Sequence, residues 1–410
     1  MQVGKMLGPA ASLTMCFVMF LYPFGSCIAY LVIVGDSFQP LLLAAFGAAW
    51  WTRRAAVITG IGCTCILPLC FPTRLAALKG KSGTVSSLCV YGLMSVVGII
   101  VFRSTQIVVS PDYSWAPVKA FNPSIQFLNA LPLIVFAFHC HTNIVSIWDE
   151  LEEHPSLFFR LTSTTPSSPT AAAGEDGKQQ RQQKSEKLRG MIRVVMAGVS
   201  IVGVFYSCVA LAGYLAFPDT ARSNITLNFR QDDWLMQAAR ACIGLIQICA
   251  YPVNHHPARG AVRDLIFQTT DRTVGGRAFY ALEPLAFFGT TLALALVCSD
   301  LGVILKLVGG TCGAMLIFLM PGALLVQYSL TKHRASRRQQ PLREPLLPGG
   351  EAAAEAGDSG AHTPHGQQHV HATEAFSLWW SILFWTAIVL LLLGSFVALL
   401  AIITTIRPLS

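Results

Sequence analysis

Charged residues are scarce in this 410-residue chain: they make up 12% of it, against about 25% in ordinary soluble domains. Hydrophobic residues make up 53%, and the mean hydropathy is +0.54. The apolar residues come in blocks of about 20, the length needed to cross about 30 Å of hydrocarbon. The composition excludes a water-soluble chain and predicts an all-α polytopic membrane protein, because such helices satisfy their own backbone polar groups in lipid.

Two further features are missing. No cysteine falls in a predicted outside loop, since all twelve lie in apolar blocks between Cys16 and Cys312, so disulfides are not expected to organise an exposed face. The first apolar run is longer than a signal-peptide core and lacks a small-residue cleavage site, so it is expected to be a span. No metal or cofactor is expected, because the histidines in residues 362–371 are scattered through a polar loop.

Nine apolar blocks are predicted to span the membrane. In residue numbers they are 12–35, 55–71, 84–102, 126–147, 191–217, 234–253, 278–298, 301–328 and 378–404. An inside N-terminus places 20 of the 29 Lys and Arg residues on the cytosolic side, as the positive-inside rule requires. The net charge of +8 thus reflects topology and attraction to anionic lipid, not nucleic-acid binding. The sequon at Asn224 then lies in an outer loop, where glycosylation is expected.

Polar linkers divide these blocks into groups. Residues 150–190 are rich in Ser, Thr and Pro and then in charge, and residues 331–376 combine basic, Gly/Ala and His-containing stretches. Neither can bury enough apolar surface to order itself, so both are predicted to be disordered cytosolic loops. The predicted organisation is helices in 1–149, a loop in 150–190, helices in 191–330, a loop in 331–376, and a last helix with a short tail in 377–410.

Residues 121–152 form the most unusual apolar stretch, with two histidines, two prolines and an acidic end. An ionisable side chain within a span is a functional candidate by default. His139 and His141 would point about 200° apart on a continuous helix, so we expect one to face a cavity and the other to pack. Pro132 removes a helical hydrogen bond ahead of them and predicts an interruption. An intramembrane metalloenzyme is not favoured, because no other span offers a set of ligands.

A second pattern lies in the first block. Tyr22, Ser26 and Tyr30 recur every four residues and share one face of a helix. Such a face lines a substrate path, or it packs against another helix with the help of the small serine. We expect packing for Ser26, whereas a tyrosine on this face suits a cavity wall.

Five motifs follow one another along the blocks. They are YPFGSCIAYLVIVGD in residues 22–36, FAFHCHTN in 136–143, GYLAF in 213–217, YPV in 251–253 and DLG in 300–302. Together they resemble the amino acid/auxin permease family, most closely its sodium-coupled neutral amino acid transporter branch and the related plant vacuolar transporters. The resemblance implies a LeuT-type bundle of two inverted repeats around a substrate site near the bilayer midplane. It also implies a secondary transporter that moves neutral amino acids by alternating access.

The same resemblance implies where the substrate binds. The broken sixth span of the family corresponds here to FAFHCH, and the eighth span ends at the YPV motif. The implied substrate-binding residues are Tyr22, Ser26, Tyr30, Ala137, Phe138, His139, Cys140, His141, Cys249 and Ala250. His141 matches the family's Cys-His pair and is the better candidate of the two histidines for a substrate-linked or pH-linked role.

Two departures from the family pattern bear on function. Sodium-coupled relatives carry hydroxyl side chains just before the eighth-span motif, whereas residues 248–252 read ICAYP, without Ser or Thr. Coupling to H+, or transport without a coupled ion, is therefore expected in preference to coupling to Na+. The first two family spans have no counterpart, so the bundle is expected to be N-terminally truncated to about nine helices.

The truncation leaves two interpretations open. Either the true start lies upstream and the protein transports amino acids, or the chain is a non-transporting membrane sensor or scaffold, or an inactive homologue. An enzyme is not expected. The plasma membrane and a vacuolar or lysosomal membrane are equally compatible with the sequon, because its loop faces away from the cytosol in both cases.

Overall fold

The computed structural model describes residues 2–72, 84–119, 128, 130–140, 144, 176–267, 276–298, 300–339 and 365–406. Regular structure in these ranges is helical throughout. The α-helices are α1 (Gln2–Leu7), α2 (Pro9–Phe46), α3 (Arg54–Ile61), α4 (Leu67–Cys70), α5 (Thr84–Val109), α6 (Leu131–Ala137), α7 (Asp176–Ala216), α8 (Trp234–Phe267), α9 (Gly276–Val297), α10 (Leu301–Val308), α11 (Met320–Gln339) and α12 (His365–Ile406). Short 3-10 helices lie at Trp50–Thr52 and Ile225–Asn228, and π-helical segments at Gly62–Ile66, Gly309–Gly313 and Met315–Leu319.

Six helical stretches in the described residues are long and apolar enough to cross a membrane. They are Pro9–Phe46, Leu88–Val109, Leu188–Ala216, Ala278–Val297, Leu301–Lys332 and Ser381–Thr405. A shorter apolar helix covers Arg54–Cys70, and α8 is long but carries polar residues in its C-terminal half. Of the predicted span 126–147, the structure describes residues 128, 130–140 and 144. An all-helical, integral multi-pass membrane protein is thus confirmed, while the count of nine spans stays a prediction.

Three helices extend beyond the apolar blocks into the segments predicted to be loops. Helix α7 begins at Asp176, α11 continues to Gln339, and α12 begins at His365. An apolar span already supplies the costly helix nucleus, so further helical residues are added at its end more cheaply than in a separate helix. Two helices therefore begin earlier than the predicted apolar blocks, at residues 176 and 365 instead of 191 and 378.

Helix α2 has ends that the sequence encodes. It begins at Pro9, whose fixed φ and missing N–H suit a first helical turn. It ends at Phe46 and is followed by Gly47, which adopts a φ of 73° and whose N–H donates to the carbonyl of Leu43 at 3.0 Å. Glycine is the residue that reaches this left-handed conformation without strain.

The same helix forms the centre of the bundle. It packs along its length against α8 and makes further contacts with α3, α9 and α10. The main apolar core comprises buried side chains of these helices, among them Leu31, Ile58, Tyr251, Phe287 and Val308. This packing holds the helices that surround the candidate site.

Candidate functional site

Helix α6 ends within the FAFHCH motif. After Ala137 the N–H of Phe138 still donates to the carbonyl of Ile134 at 3.1 Å, and then His139 and Cys140 leave helical geometry. We call residues 136–140 the helix break. The last turn of a helix presents carbonyls without intrahelical donors, and they carry the negative end of the helix dipole. The expected interruption is therefore observed, and it places backbone acceptors beside a histidine.

The proline expected to cause the interruption does not cause it. Pro132 is the second residue of α6, in a first turn where backbone N–H groups have no intrahelical acceptor in any helix. A proline there removes no hydrogen bond, and its fixed φ suits helical geometry. Pro132 therefore begins the short helix that ends at the break.

Two tyrosine hydroxyls donate to carbonyls of the helix break. Tyr22 of α2 donates to the carbonyl of Phe136 at 3.4 Å, and Tyr206 of α7 donates to that of Ala137 at 3.2 Å. Tyr22 is 4% exposed and Tyr206 is 45% exposed. The carbonyl of Phe136 also accepts from the backbone N–H of His139 at 3.2 Å. Both tyrosine hydroxyls are neutral donors, which a charged ligand group can replace.

Aromatic rings line the same place. The rings of Tyr22 and His139 lie 3.8 Å apart, centroid to centroid, and those of Tyr22 and Phe136 lie 5.6 Å apart. The ring of Phe138 meets that of Tyr206 edge-on at 5.5 Å. Helices α2 and α7 therefore each contribute one tyrosine that bonds to the backbone of the break and packs against its side chains.

The break rests on a glycine-rich π-helical segment. A Cβ at Gly309 would lie 2.3 Å from the carbonyl oxygen of Pro132 and 2.6 Å from the Cβ of Phe136. A Cβ at Gly310 would lie 1.9 Å from the Cβ of Ala401 in α12. Neither position has room for a side chain, so glycine is what allows α6 to approach this segment. π-Helical segments occur frequently at functional sites.

Of the predicted residues, Ser26 bonds within its own helix. The hydroxyl of Ser26 donates to the carbonyl of Tyr22 within its own helix at 2.9 Å and is buried, which fits helix packing. His141 lies outside the described residues, so its role stays a prediction.

The other predicted residues meet a different neighbour. The hydroxyl of Tyr30 accepts from the side-chain amide of Asn254 at 3.0 Å, and the carbonyl of Ala250 accepts from the same amide at 3.4 Å. Cys249 lies beside Cys89 of α5. One face of α2 thus contacts the helix break through Tyr22 and α8 through Tyr30.

The loop that carries the sequon is attached to α2 at Asp36, which also bonds to α3. The carboxylate of Asp36 accepts from Nε of Arg54 at 3.1 Å and from Nδ2 of Asn224 at 3.5 Å. The hydroxyl of Thr226 donates to Oδ1 of Asn224 at 2.7 Å. These bonds hold the sequon in a local turn, and glycosylation of Asn224 stays a prediction.

Sequence reasoning missed two features of the bundle. Tyr206 was not recognised, because nothing in its apolar block marks it. A buried ionic cluster of His255, Arg259 and Glu283 was also missed, although signals for it exist. Glu283 is an acidic residue inside an apolar block, and His255 and Arg259 lie four residues apart, on one face of a helix.

A multi-pass helical bundle with a helix broken at mid-membrane is the architecture of secondary transporters. Residues 1–168 and 178–343 of the chain match a family described as transmembrane amino acid transporter protein. The chain belongs to this family. Its members are transporters and not enzymes, and the resemblance to the amino acid/auxin permeases is confirmed.

Individual relatives are distant. Sodium-coupled neutral amino acid transporter 7 of Danio rerio is 26% identical over 351 residues, which cover 80% of this chain and 64% of the relative. The protein of the same name from Bos taurus is 27% identical over 327 residues, covering 76% and 62%. Putative sodium-coupled neutral amino acid transporter 11 of Mus musculus is 25% identical over 333 residues, covering 80% and 64%. The chain therefore spans less than two thirds of the length of these relatives.

Proposed function

We propose that the protein is a secondary transporter that carries neutral amino acids across a membrane by alternating access, with the substrate held at the helix break. The observation that carries the proposal is the pair of carbonyls at Phe136 and Ala137, which meet tyrosine hydroxyls from two different helices. Relatives named as neutral amino acid transporters support it.

The break offers groups that complement an amino acid. Its carbonyls accept hydrogen bonds from the substrate ammonium, and the helix dipole favours a cation at this end. The hydroxyls of Tyr22 and Tyr206, once displaced from the carbonyls, can donate to the carboxylate. In the described part of the chain, the side chains around the break are aromatic or apolar. They favour a substrate with an uncharged side chain, because a buried charge needs a partner.

The proposed coupling ion is H+ and not Na+. The names of the relatives specify sodium, and transporters of this architecture bind that ion through oxygen ligands beside broken helices. Residues 248–252 carry a single side-chain hydroxyl, that of Tyr251, and it is bonded to the hydroxyl of Thr291 at 2.6 Å. This stretch therefore lacks a free hydroxyl to coordinate sodium.

Counterflow in proteoliposomes tests the transport proposal. Vesicles loaded with an unlabelled neutral amino acid are diluted into the labelled amino acid at equal pH. We expect transient accumulation of label for neutral amino acids and none for glutamate or lysine. A lack of accumulation for every neutral amino acid would contradict transport, and binding without exchange would favour the sensor interpretation.

Replacing external Na+ with choline tests the ion. We expect uptake of a neutral amino acid to continue unchanged in choline and to increase when the outside is made more acidic than the inside. Uptake that stops without Na+ would contradict H+ coupling while leaving amino acid transport intact.

A further inference from the structure

The buried ionic cluster lies where α8 meets α9 and the end of α4. The carboxylate of Glu283 accepts from Nε2 of His255 at 2.9 Å and from Nε of Arg259 at 3.0 Å. The three side chains are 7%, 1% and 6% exposed, respectively. The guanidinium of Arg259 also donates to the carbonyls of Cys70 and Pro72. One arginine of α8 therefore bonds to both α9 and the end of α4.

The hydrogen-bond geometry favours one tautomer of His255 in this cluster. Nη2 of Arg259 lies 3.3 Å from Nδ1 of His255. A guanidinium only donates, so Nδ1 must accept, and the proton of the neutral imidazole is on Nε2, which donates to Glu283. The cluster thus holds one negative charge, on Glu283, and one positive charge, on Arg259.

A carboxylate buried this deeply requires a countercharge. If Arg259 withdraws from Glu283, the carboxylate remains buried only by gaining a proton, on itself or on His255 as an imidazolium. A proton on Nδ1 of His255 would face the guanidinium directly, and a proton on Glu283 would leave Arg259 without its partner. Binding of a proton and binding of Arg259 therefore oppose each other.

We propose that Arg259 and a proton compete for the Glu283–His255 pair, and that this exchange is the proton-coupling step of the transport cycle. The proposal rests on the proposed transport function. With Arg259 bound, α9 is tied to α8 and to the end of α4. With one proton taken from water in its place, the tie between α9 and the end of α4 is released, while the His255–Glu283 hydrogen bond still joins α8 to α9. Relative motion of these helices, which alternating access requires, then becomes linked to proton uptake.

The surrounding titratable groups do not supply this exchange. They are Tyr251, His256, Arg263 and Asp264 on α8, Tyr280 on α9, Cys70 on α4, Cys63 and Cys65 before it, Cys16, Cys27 and Tyr30 on α2, and Cys89 on α5. Thiols and phenols ordinarily titrate at about 8.5 and about 10, above the range in which a carboxylate or an imidazole takes up a proton. His256 points about 100° away from His255 around the helix. Asp264 pairs with Arg263 at 3.0 Å, with a carboxylate that is partly exposed.

The substitution Glu283→Gln tests the proposal, because the amide keeps a hydrogen-bond acceptor but carries no charge. Proteoliposomes are assayed by counterflow at equal pH and by uptake under an imposed pH gradient. We expect the variant to keep counterflow and to lose stimulation by the gradient. Asp264→Asn is the matched control, since it neutralises a paired carboxylate on the neighbouring helix, and it should keep both activities. Gradient-driven uptake by Glu283→Gln at the wild-type level would overturn the proposal.

Infrared spectroscopy follows the proton without any need for transport. Acidification of the wild-type protein should produce a protonated-carboxyl or imidazolium band that Glu283→Gln lacks. Arg259→Lys replaces a forked donor with a single ammonium, a weaker competitor, so the band should form at higher pH in this variant. An unshifted band in Arg259→Lys would contradict the competition even if Glu283→Gln did not fold.

The two measurements separate failure of this proposal from failure of the transport proposal. If the wild-type protein shows the shifting band but no counterflow, the proton-site proposal stands and the transport proposal fails. If it shows counterflow but the bands do not differ between variants, the transport proposal stands and the proton-site proposal fails.

Discussion

At the helix break, single side chains determine what the exposed backbone can bind. Tyr22 and Tyr206 each donate one hydrogen bond to a carbonyl of the break. A hydrogen bond between neutral groups contributes about 0.5–1.5 kcal/mol net, so neither hydroxyl blocks these carbonyls against a stronger donor. A substrate ammonium forms a charge-assisted bond to the same acceptors, and both tyrosines become available to the carboxylate.

The substitution Tyr22→Phe removes this hydroxyl and keeps the ring that packs on His139. We expect KM for a neutral amino acid to rise about two- to tenfold, because on substrate binding this hydroxyl exchanges a neutral hydrogen bond to Phe136 for a stronger one to the substrate carboxylate. Initial counterflow rates over a range of substrate concentrations measure the change.

Ser26→Ala is the control for this prediction. It removes a hydroxyl from the same face of α2, but one bonded within its own helix. We expect KM to stay at the wild-type value. An equal change of KM in both variants would contradict a specific role for Tyr22.

Sequence spacing identified some of these residues and not others. The four-residue spacing predicted that Tyr22 and Tyr30 share a face, and both hydroxyls reach across to other elements. Tyr206 meets a carbonyl 69 positions away, and Glu283 meets its partners 24 and 28 positions away. Helix packing alone brings such residues together, and no local pattern encodes it.

Among the elements, α6 and the π-helical segment Gly309–Gly313 depend on close approach. We expect Gly309→Ala to lower the free energy of unfolding by about 1–3 kcal/mol, as overpacking does, and to abolish counterflow. The physical reason is the added Cβ, which would lie 2.3 Å from a backbone carbonyl of α6. Thermal unfolding and counterflow measure the two effects.

Gly289→Ala in α9 is the matched control. No atom lies within 4 Å of a Cβ built there, and alanine in a helix interior is favoured over glycine by up to about 1 kcal/mol. Its stability should equal or exceed that of the wild type. A stable, active Gly309→Ala protein would contradict the packing described for the break.

Apolar blocks predict helices better than they predict where helices end or break. Block 12–35 is the middle of α2, whose beginning and end are set by a proline and a glycine outside the block. The interruption of α6 was expected, yet its assignment to Pro132 was wrong, because a proline in a first turn removes no bond. The break itself depends on tertiary contacts from α2 and α7.

For the whole molecule, the orientation in the membrane is testable at the sequon. We expect Asn224 to carry a glycan, because the distribution of Lys and Arg places its loop outside the cytosol. Endoglycosidase treatment should reduce the apparent mass of the wild type and not that of Asn224→Gln. Asn228→Gln, in the same loop but outside the sequon, should behave as the wild type does. An unglycosylated wild type in a glycosylating host would contradict this orientation.

Family membership was predictable, because five short motifs in a fixed order identify it, and the family match covers residues 1–168 and 178–343. The site was predictable only in part. FAFHCH marked the broken helix, while the spacing of Tyr22 and Tyr30 did not reveal that they contact different neighbours. Such contacts depend on how helices that are distant in the sequence pack together. The spacing of residues within one helix does not predict that packing.

The most direct test of substrate binding at the helix break is the alkylation rate of Cys140. This thiol lies at the break and is half-buried, and mass spectrometry reads its modification separately from that of the other cysteines. A saturating neutral amino acid should slow alkylation of Cys140 and leave that of exposed Cys298, just after α9, unchanged. Glutamate should protect neither. Some amino acids will be exchanged by the same preparation in counterflow. If such an amino acid leaves the alkylation rate of Cys140 unchanged, this result would contradict substrate binding at the break.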